Sequence, residues 1–297
     1  RASYVRVNLY WNDVVSSPDA KRPPRRVSYS LGTYDRLVSQ ARAQGVRVHL
    51  TLSLSAPAWA TSNRRVGKTN PSPELFAAFA RDMAKHFKGR VARYSILNEP
   101  NLVVWLKPKN TSATQYRRIY ARSYTAIKRA DPSAKVFIGE TAPFARQRTS
   151  GTQPLVWLRQ VLQGARLKTD GYAHHPYGFK LSPTTPWPAP GSATIASLGR
   201  LVNALDGYAR RGNLRTPTGG TPGIYLTEHG YFVNNPGAPA YRSSQSLPAA
   251  TRARYWTQSL DIASRTPTVR QLLSYQLYPL TPTTVWDTSV LDAAGNP

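Results

Sequence analysis

Cysteine is absent from the 297 residues, so neither a disulfide nor a thiolate metal site is available, and the redox compartment is left open. Acid is scarce as well, with 14 Asp and Glu against 40 Lys and Arg and a formal net charge of +26. No apolar run approaches the roughly 18 residues of a membrane span, so no transmembrane segment is expected. No signal peptide is visible at Arg1, which runs straight into a strand-like stretch, and the chain is expected to be mature or trimmed. No fixed-period repeat and no break in composition divides the chain, and residues 1–297 are expected to form one domain.

The excess of positive charge has two readings. One is an acidic partner, whether nucleic acid, an anionic polysaccharide or a negatively charged envelope. The other is a solubilising surface spread over helices, which the scatter of arginines favours. The only tight run is KRPPRR, Lys21 to Arg26, in a proline-rich loop. Neither a zinc-finger spacing nor an aromatic ribonucleoprotein motif accompanies it, so no nucleic-acid partner is expected.

What is present is an alternation of strand-like and helix-like segments, the pattern of βα units around a parallel sheet. Seven strands are predicted: Tyr4 to Tyr10, Val46 to Leu54, a run from Tyr94 that carries Asn98 and Glu99 at its end, the run into Glu140, Asp170 to Tyr177, the run into Glu228, and Leu272 to Tyr278. Six helices fall between them, near residues 34–43, 72–87, 111–130, 154–164, 195–211 and 249–265. Pro73 and Glu74 mark a helix start, since proline lacks the amide hydrogen that a first turn leaves unpaired and an acid complements the helix dipole there. A closed parallel barrel needs eight strands. The expected architecture is therefore a (β/α)8 barrel whose first strand–helix unit and last helix lie outside the sequence.

The chain holds only four glutamates. Glu74 is explained by its helix turn. Glu99, Glu140 and Glu228 all end apolar strands, where a parallel barrel places its chemistry. Proline at 100 stops the strand just past Glu99, because it cannot donate to a ladder. Two carboxyls about 5–5.5 Å apart can hydrolyse a glycoside with retention, one protonating the leaving oxygen and the other attacking the anomeric carbon. The bland alternative is a set of strand-end acids paired with arginine.

The motifs NEPN at Asn98 to Asn101 and TEHG around Glu228 resemble the fourth- and seventh-strand motifs of the large clan of retaining (β/α)8 glycoside hydrolases, closest in flavour to families 39 and 5. VRVNLYW, LTLSLSAPAWA, HHPYG and YQLYPLTPTTVWDTSVLD fall in the clan's order, so the resemblance covers most of the chain. It implies that Glu99 is the acid/base and Glu228 the nucleophile. Asn98 is then expected to bond the sugar 2-hydroxyl, Arg6 to face the nucleophile from below and help keep it ionised, and His175 and Tyr177 to form the clan's H-x-Y, whose tyrosine orients the nucleophile. Glu140 is not catalytic in the resemblance and is expected to make a subsite contact or an ion pair.

Flat aromatic faces stack on sugar rings, and Trp11, Trp59, Trp105, Trp187 and Trp286 are placed in loops after strands, with Trp59 and Trp286 as the chosen platforms. Trp157 and Trp256 fall in helices and are expected in the packing. The clan often carries a tryptophan on its eighth strand where this chain has Tyr275, Gln276 and Tyr278; Trp286 or Tyr278 is expected to substitute. His174 and His175 do not suggest a metal, because neighbours on a strand point to opposite faces. The reading is a retaining glycosidase needing no cofactor and no metal, acting on an oligo- or polysaccharide that the basic surface allows to be anionic, and secreted or associated with the cell envelope. Its rival is a carbohydrate-binding or wall-associated barrel with a dead site.

Overall fold

A computed structural model describes residues 2–145, 150–233, 245–279, 286–292 and 294–295. Among them seven parallel strands form one sheet: β1 (Tyr4–Tyr10), β2 (Arg47–Ser53), β3 (Arg93–Ile96), β4 (Lys135–Thr141), β6 (Gly171–His174), β8 (Ile224–His229) and β9 (Val269–Ser274). Each pairs with the next in that order, and a separate two-residue pair, β5 (Leu167–Lys168) with β7 (Leu214–Arg215), lies outside the barrel sheet. The sheet curls until β1 and β9 approach within 8 Å between Cα atoms, though no ladder joins them. This is the (β/α)8-barrel fold, with α2 (Gly32–Ala43), α3 (Pro73–His86), α4 (Ser112–Ala130), α5 (Pro154–Leu162), α6 (Leu198–Arg210) and α7 (Ala249–Arg265) between strands. A short α1 (Trp11–Val14) follows β1.

Alternation along each strand separates two environments. Outward residues such as Val48, Leu50, Leu52, Ile96, Val136, Ile138, Ile224 and Leu226 are fully or almost fully buried against the helices in one continuous core. Both faces of the central strands are buried, the outward one under apolar side chains and the inward one with many polar ones, such as His49, Thr51 and Ser95. The inward residues are layered. At the base, the Arg93 guanidinium lies over the rings of Tyr4 (3.6 Å) and Tyr225 (4.7 Å) and donates to Gln271 at 2.6 Å. Above it, buried His49 meets Ser95 at 2.8 Å. The top layer carries Arg6, Glu140 and Glu228.

Helix ends follow their sequence signals. Ser72 caps α3 by accepting from the Leu75 amide at 3.3 Å, with Pro73 in the first turn. The last strand departs from expectation. It begins at Val269 rather than Leu272, because its register is set by β8, where Ile224 faces Val269 and Leu226 faces Leu272. Residues 275–279 then leave the sheet.

Candidate active site

Three pieces of backbone deliver three carboxylates to the carboxyl end of the barrel. Glu99 lies just past β3, in a left-handed conformation (φ 39°) that a side chain rarely adopts. Its amide donates to the Glu140 carbonyl at 2.9 Å, which ties the segment after β3 to the end of β4. Glu140 is also left-handed (φ 52°) and sits on a bulge, since β4 loses register with β6 between Gly139 and Thr141. The bulge needs Gly139: at its φ of 107° a Cβ would lie 2.5 Å from the Ala173 carbonyl oxygen. Glu228 sits within β8. Non-glycine residues in this region of φ and ψ concentrate where the surroundings over-determine them, as at active sites.

Arg6 is the hub. Its Nη1 donates to Glu228 Oε1 at 2.5 Å, while Nε and Nη2 donate to Glu140 Oε1 and Oε2 at 3.0 and 2.6 Å. Nη2 also donates to Asn98 Oδ1 at 2.8 Å. Burial works against both charges, but the pairing prevails. It raises the Arg6 pKa above its ordinary value and brings the Glu140 carboxyl down to about 2. Glu140 is fully buried, and Thr51 adds a hydroxyl donor at 3.0 Å. Of its two expected roles it has the ion pair and not the subsite contact.

The other two glutamates open onto a cavity of about 760 Å³, lined also by Asn98, Tyr177, Trp105, Tyr10, Tyr275 and Trp286. Glu228 Oε2 accepts from the Tyr177 hydroxyl at 3.0 Å. Among the described residues Glu99 has no arginine partner; it meets His175 Nδ1, 3.0 Å from Oε1, and the Trp105 indole, which donates to Oε2 at 3.1 Å. His175 Nδ1 is also 3.7 Å from Glu228 Oε2. Burial lowers the His175 pKa, but Glu228 and Glu99 outweigh it and hold the imidazole above its usual range.

The two catalytic candidates are therefore separated, oxygen to oxygen, by no more than the sum of the 3.0 and 3.7 Å contacts to His175 Nδ1. That limit, set on one oxygen of each carboxyl, is compatible with the about 5–5.5 Å separation of a retaining pair. With Asn98 Oδ1 held by Arg6, its amide nitrogen is left to donate into the cavity. Asn101, the last residue of NEPN, is structural: it bonds the Ala142 amide (2.8 Å) and the Thr152 carbonyl (3.1 Å).

The aromatic expectations divide. Trp286 and Trp105 line the cavity. Trp59 does not. It is 9% exposed and packs edge-on against fully buried Trp11 at 5.5 Å, so both belong to the core beneath the loop and neither is a sugar platform. The whole of the apolar run APAWA, Ala56 through Ala60, is buried, and a local sequence does not reveal which loop folds inward. Trp187 stacks on Phe144 at 3.8 Å, behind the cavity wall. Tyr278 is 48% exposed and does not line the cavity; Tyr275 does. Trp157 and Trp256 pack as helix residues. Tyr10, within VRVNLYW but given no role there, joins the site; the signal that finds it is the two-residue period of β1, which puts it on the inward face with Arg6 and Asn8.

His174 and His175 diverge. Both ring nitrogens of His174 are used internally, by Thr141 at 2.8 Å and the Ala193 carbonyl at 2.6 Å. Among the described residues no group of three His, Cys, Asp or Glu could hold a metal, and no helix is long and apolar enough to cross a membrane.

Comparison with known proteins gives consistent relatives. The family model for cellulase (glycosyl hydrolase family 5) matches residues 1–271. A family 39 glycoside hydrolase from Bacteroides cellulosilyticus WH2 superposes with a TM-score of 0.68 at 17% identity, over 99% of this chain and 55% of that one. A family 39 enzyme from Xanthomonas axonopodis pv. citri gives 0.64 at 16% identity, over 99% and 57%. A family 1 β-glucosidase from Thermotoga maritima gives 0.61 at 13% identity, over 98% and 78%. At these identities the likeness is one of fold. The chain spans little more than half the length of the two family 39 structures. No curated protein matches it by sequence.

Proposed function

Because the chain belongs to the cellulase family, glycosyl hydrolase family 5, we propose that it is a glycosidase that cleaves O-glycosidic bonds of an oligo- or polysaccharide with retention, through a glycosyl-enzyme intermediate. The observation that carries this is the short span between Glu99 and Glu228 imposed by their shared contact with His175. A span this short supports direct attack of one carboxylate on the anomeric carbon, as in a pair about 5–5.5 Å apart.

The surroundings divide the roles. Glu228 has the setting of an anionic nucleophile, with the Arg6 guanidinium on one oxygen and the Tyr177 hydroxyl on the other. Glu99 lacks a permanent cation among the described residues and has His175 and an indole instead. In the first step Glu228 attacks the anomeric carbon, forming a glycosyl ester as the glycosidic bond breaks, and the Glu99 proton goes to the departing oxygen. In the second, Glu99 takes a proton from water, whose oxygen displaces Glu228 from the same carbon. No external oxidant or cofactor enters this balance. Asn98 donates to the sugar hydroxyl beside the reacting carbon, and Trp286 and Tyr275 bound the cavity on the side of Glu228's neighbour β9.

A panel of 2-fluoro-glycosides with leaving groups, analysed by intact mass and peptide mapping, tests the reading. A covalent adduct on Glu228, lost in Glu228→Gln, is expected. An adduct on Glu140 would overturn the assignment, and a folded protein that no member of the panel labels would support the non-catalytic carbohydrate-binding alternative.

A further inference from the structure

The two oxygens of Glu99 face opposite ways. Oε1 is on the side of His175 and Glu228, and Oε2 is on the side of the Trp105 indole. Under the glycosidase reading, on which the subsite assignment below rests, the sugar that is attacked lies toward Glu228. The leaving half of the substrate must then extend past Glu99, along the wall formed by Trp105 and Lys107, which lines the same cavity.

Lys107 brings a positive charge to that wall, and Lys68 lies beside it. Their backbones are held together: the Lys107 amide donates to the Lys68 carbonyl at 2.9 Å, the Asn70 amide donates to the Lys107 carbonyl at 2.8 Å, and Thr69 bridges Lys107 in parallel. The Lys68 ammonium lies 4.4 Å over the Trp105 ring, and Tyr10 stacks on the same indole at 6.4 Å and 13°. The indole plane is thus fixed by Lys68, Tyr10 and Glu99 together. Burial, and then the neighbouring Lys107 charge, hold the Lys68 pKa below the ordinary lysine range. Among the described residues neither lysine has a carboxylate partner.

More positive charge lies on the loop that carries Lys68 and on the one docked to it. Lys21 Nζ donates to the Arg64 carbonyl at 3.0 Å and Arg64 Nη1 to the Lys21 carbonyl at 3.3 Å, which docks the KRPPRR loop after β1 onto the loop after β2. Arg22, Arg25, Arg26 and Arg65 on these loops are exposed. Two like charges crowded together and left without a counter-ion cost free energy that a solubilising surface has no reason to bear, since scattered lysines would serve equally.

We propose that this side of the cavity is a subsite for a negatively charged sugar residue, a uronate or a sulfated unit, in the leaving-group half of the substrate. The anionic substituent is received between Lys68 and Lys107 while the ring lies against the Trp105 edge. Polysaccharide beyond that residue meets the basic loops.

The test measures binding, so that it reads independently of catalysis. Glu228→Gln protein is titrated calorimetrically with tetragalacturonate, a chondroitin sulfate tetrasaccharide and neutral cellotetraose, at low salt and at about 0.5 M salt. At least one anionic glycan is expected to bind about tenfold or more tighter than cellotetraose, with the advantage reduced by salt. The advantage should vanish in Lys68→Met/Lys107→Met and return in Lys68→Arg/Lys107→Arg, which keeps the charge. The uronate and sulfate arms identify which anion is preferred. Equal binding of neutral and charged glycans, no binding by any of the three, or an advantage that survives the double methionine variant would each overturn the proposal. Labelling of Glu228 by neutral 2-fluoro-glycosides alongside such a failure would leave the glycosidase reading standing.

Discussion

Arg6 and Glu140 face each other in a two-pronged pair, Nε to Oε1 at 3.0 Å and Nη2 to Oε2 at 2.6 Å, so the arginine beneath Glu228 is gripped from behind by a residue that does not line the cavity. Only Nη1 is left to point at Glu228. Arg6 is thereby oriented by Glu140 and presents Nη1 to Glu228, with Asn98 positioned by the shared Nη2.

Glu140→Gln should remove the charge that compensates buried Arg6 and destabilise the protein by ~3–5 kcal/mol, as breaking a buried pair does. Urea denaturation checks this. An unchanged midpoint would mean that Glu228 alone compensates the guanidinium.

Tyr177→Phe deletes one hydrogen bond to Glu228 and little volume. A bond to a charged group is worth about 1.5–3 kcal/mol, so a roughly ten- to hundredfold fall in kcat/KM is expected with thermal stability nearly unchanged. Steady-state kinetics on the glycoside that labels Glu228 would decide it, and an unaffected rate would remove the tyrosine from the site's function.

The pH response of stability has an alkaline and an acid side. The His175 pKa is raised in the folded protein, so its contribution is complete below the ordinary value of about 6.5 and is lost as pH rises through the folded value. Melting temperatures from about pH 6 to 9 should therefore fall more in the wild type than in His175→Gln. Parallel curves would show that the imidazole is not protonated between the two glutamates.

On the acid side, burial lowers His49, His174 and His229 to about 3 each. The unfolded chain binds protons at these sites from about pH 6.5 downward while the folded chain does not, so stability falls as pH drops from there toward about 3. Glu140, depressed to about 2, adds a loss as pH falls below the ordinary carboxyl range. Among the described residues neither nitrogen of His229 has a hydrogen-bond partner. His229→Phe is thus expected to flatten the acid limb, and an equally steep limb would count against a buried neutral imidazole there.

Trp59→Ala should cost ~3–5 kcal/mol of stability as a core truncation, whereas Trp286→Ala should act chiefly on KM. Paired denaturation and kinetics separate the two, and equal effects on KM would return Trp59 to the sugar site.

Much of this was legible in the sequence. The seven barrel strands could be seen because short β-rich segments alternate with helical ones and most carry apolar residues on their outward faces, and the glutamates stood out because the chain has only four. Asn98, Glu99 and Glu228 were marked by motif, and Arg6, Asn8 and Tyr10 share one face of β1 by simple alternation. The short β5–β7 pair and the start of β9 were not legible, since both depend on which partner strand is adjacent.

The sequence by itself determined the barrel, the scarcity of acids that singles out Glu99, Glu140 and Glu228, and the large positive charge. Tertiary structure decided how those three acids differ. Glu140 is turned inward by a bulge at Gly139 and spent on Arg6, while Glu228 and Glu99 remain open to the cavity. It also decided that Trp59 is core, and that Lys68 and Lys107, 39 positions apart in the chain, are bonded backbone to backbone beside the Trp105 indole that Lys68 covers. The reason is physical: a carboxylate's role and a lysine's neighbours are set by groups from distant strands at contact distance, and local periodicity carries no record of them.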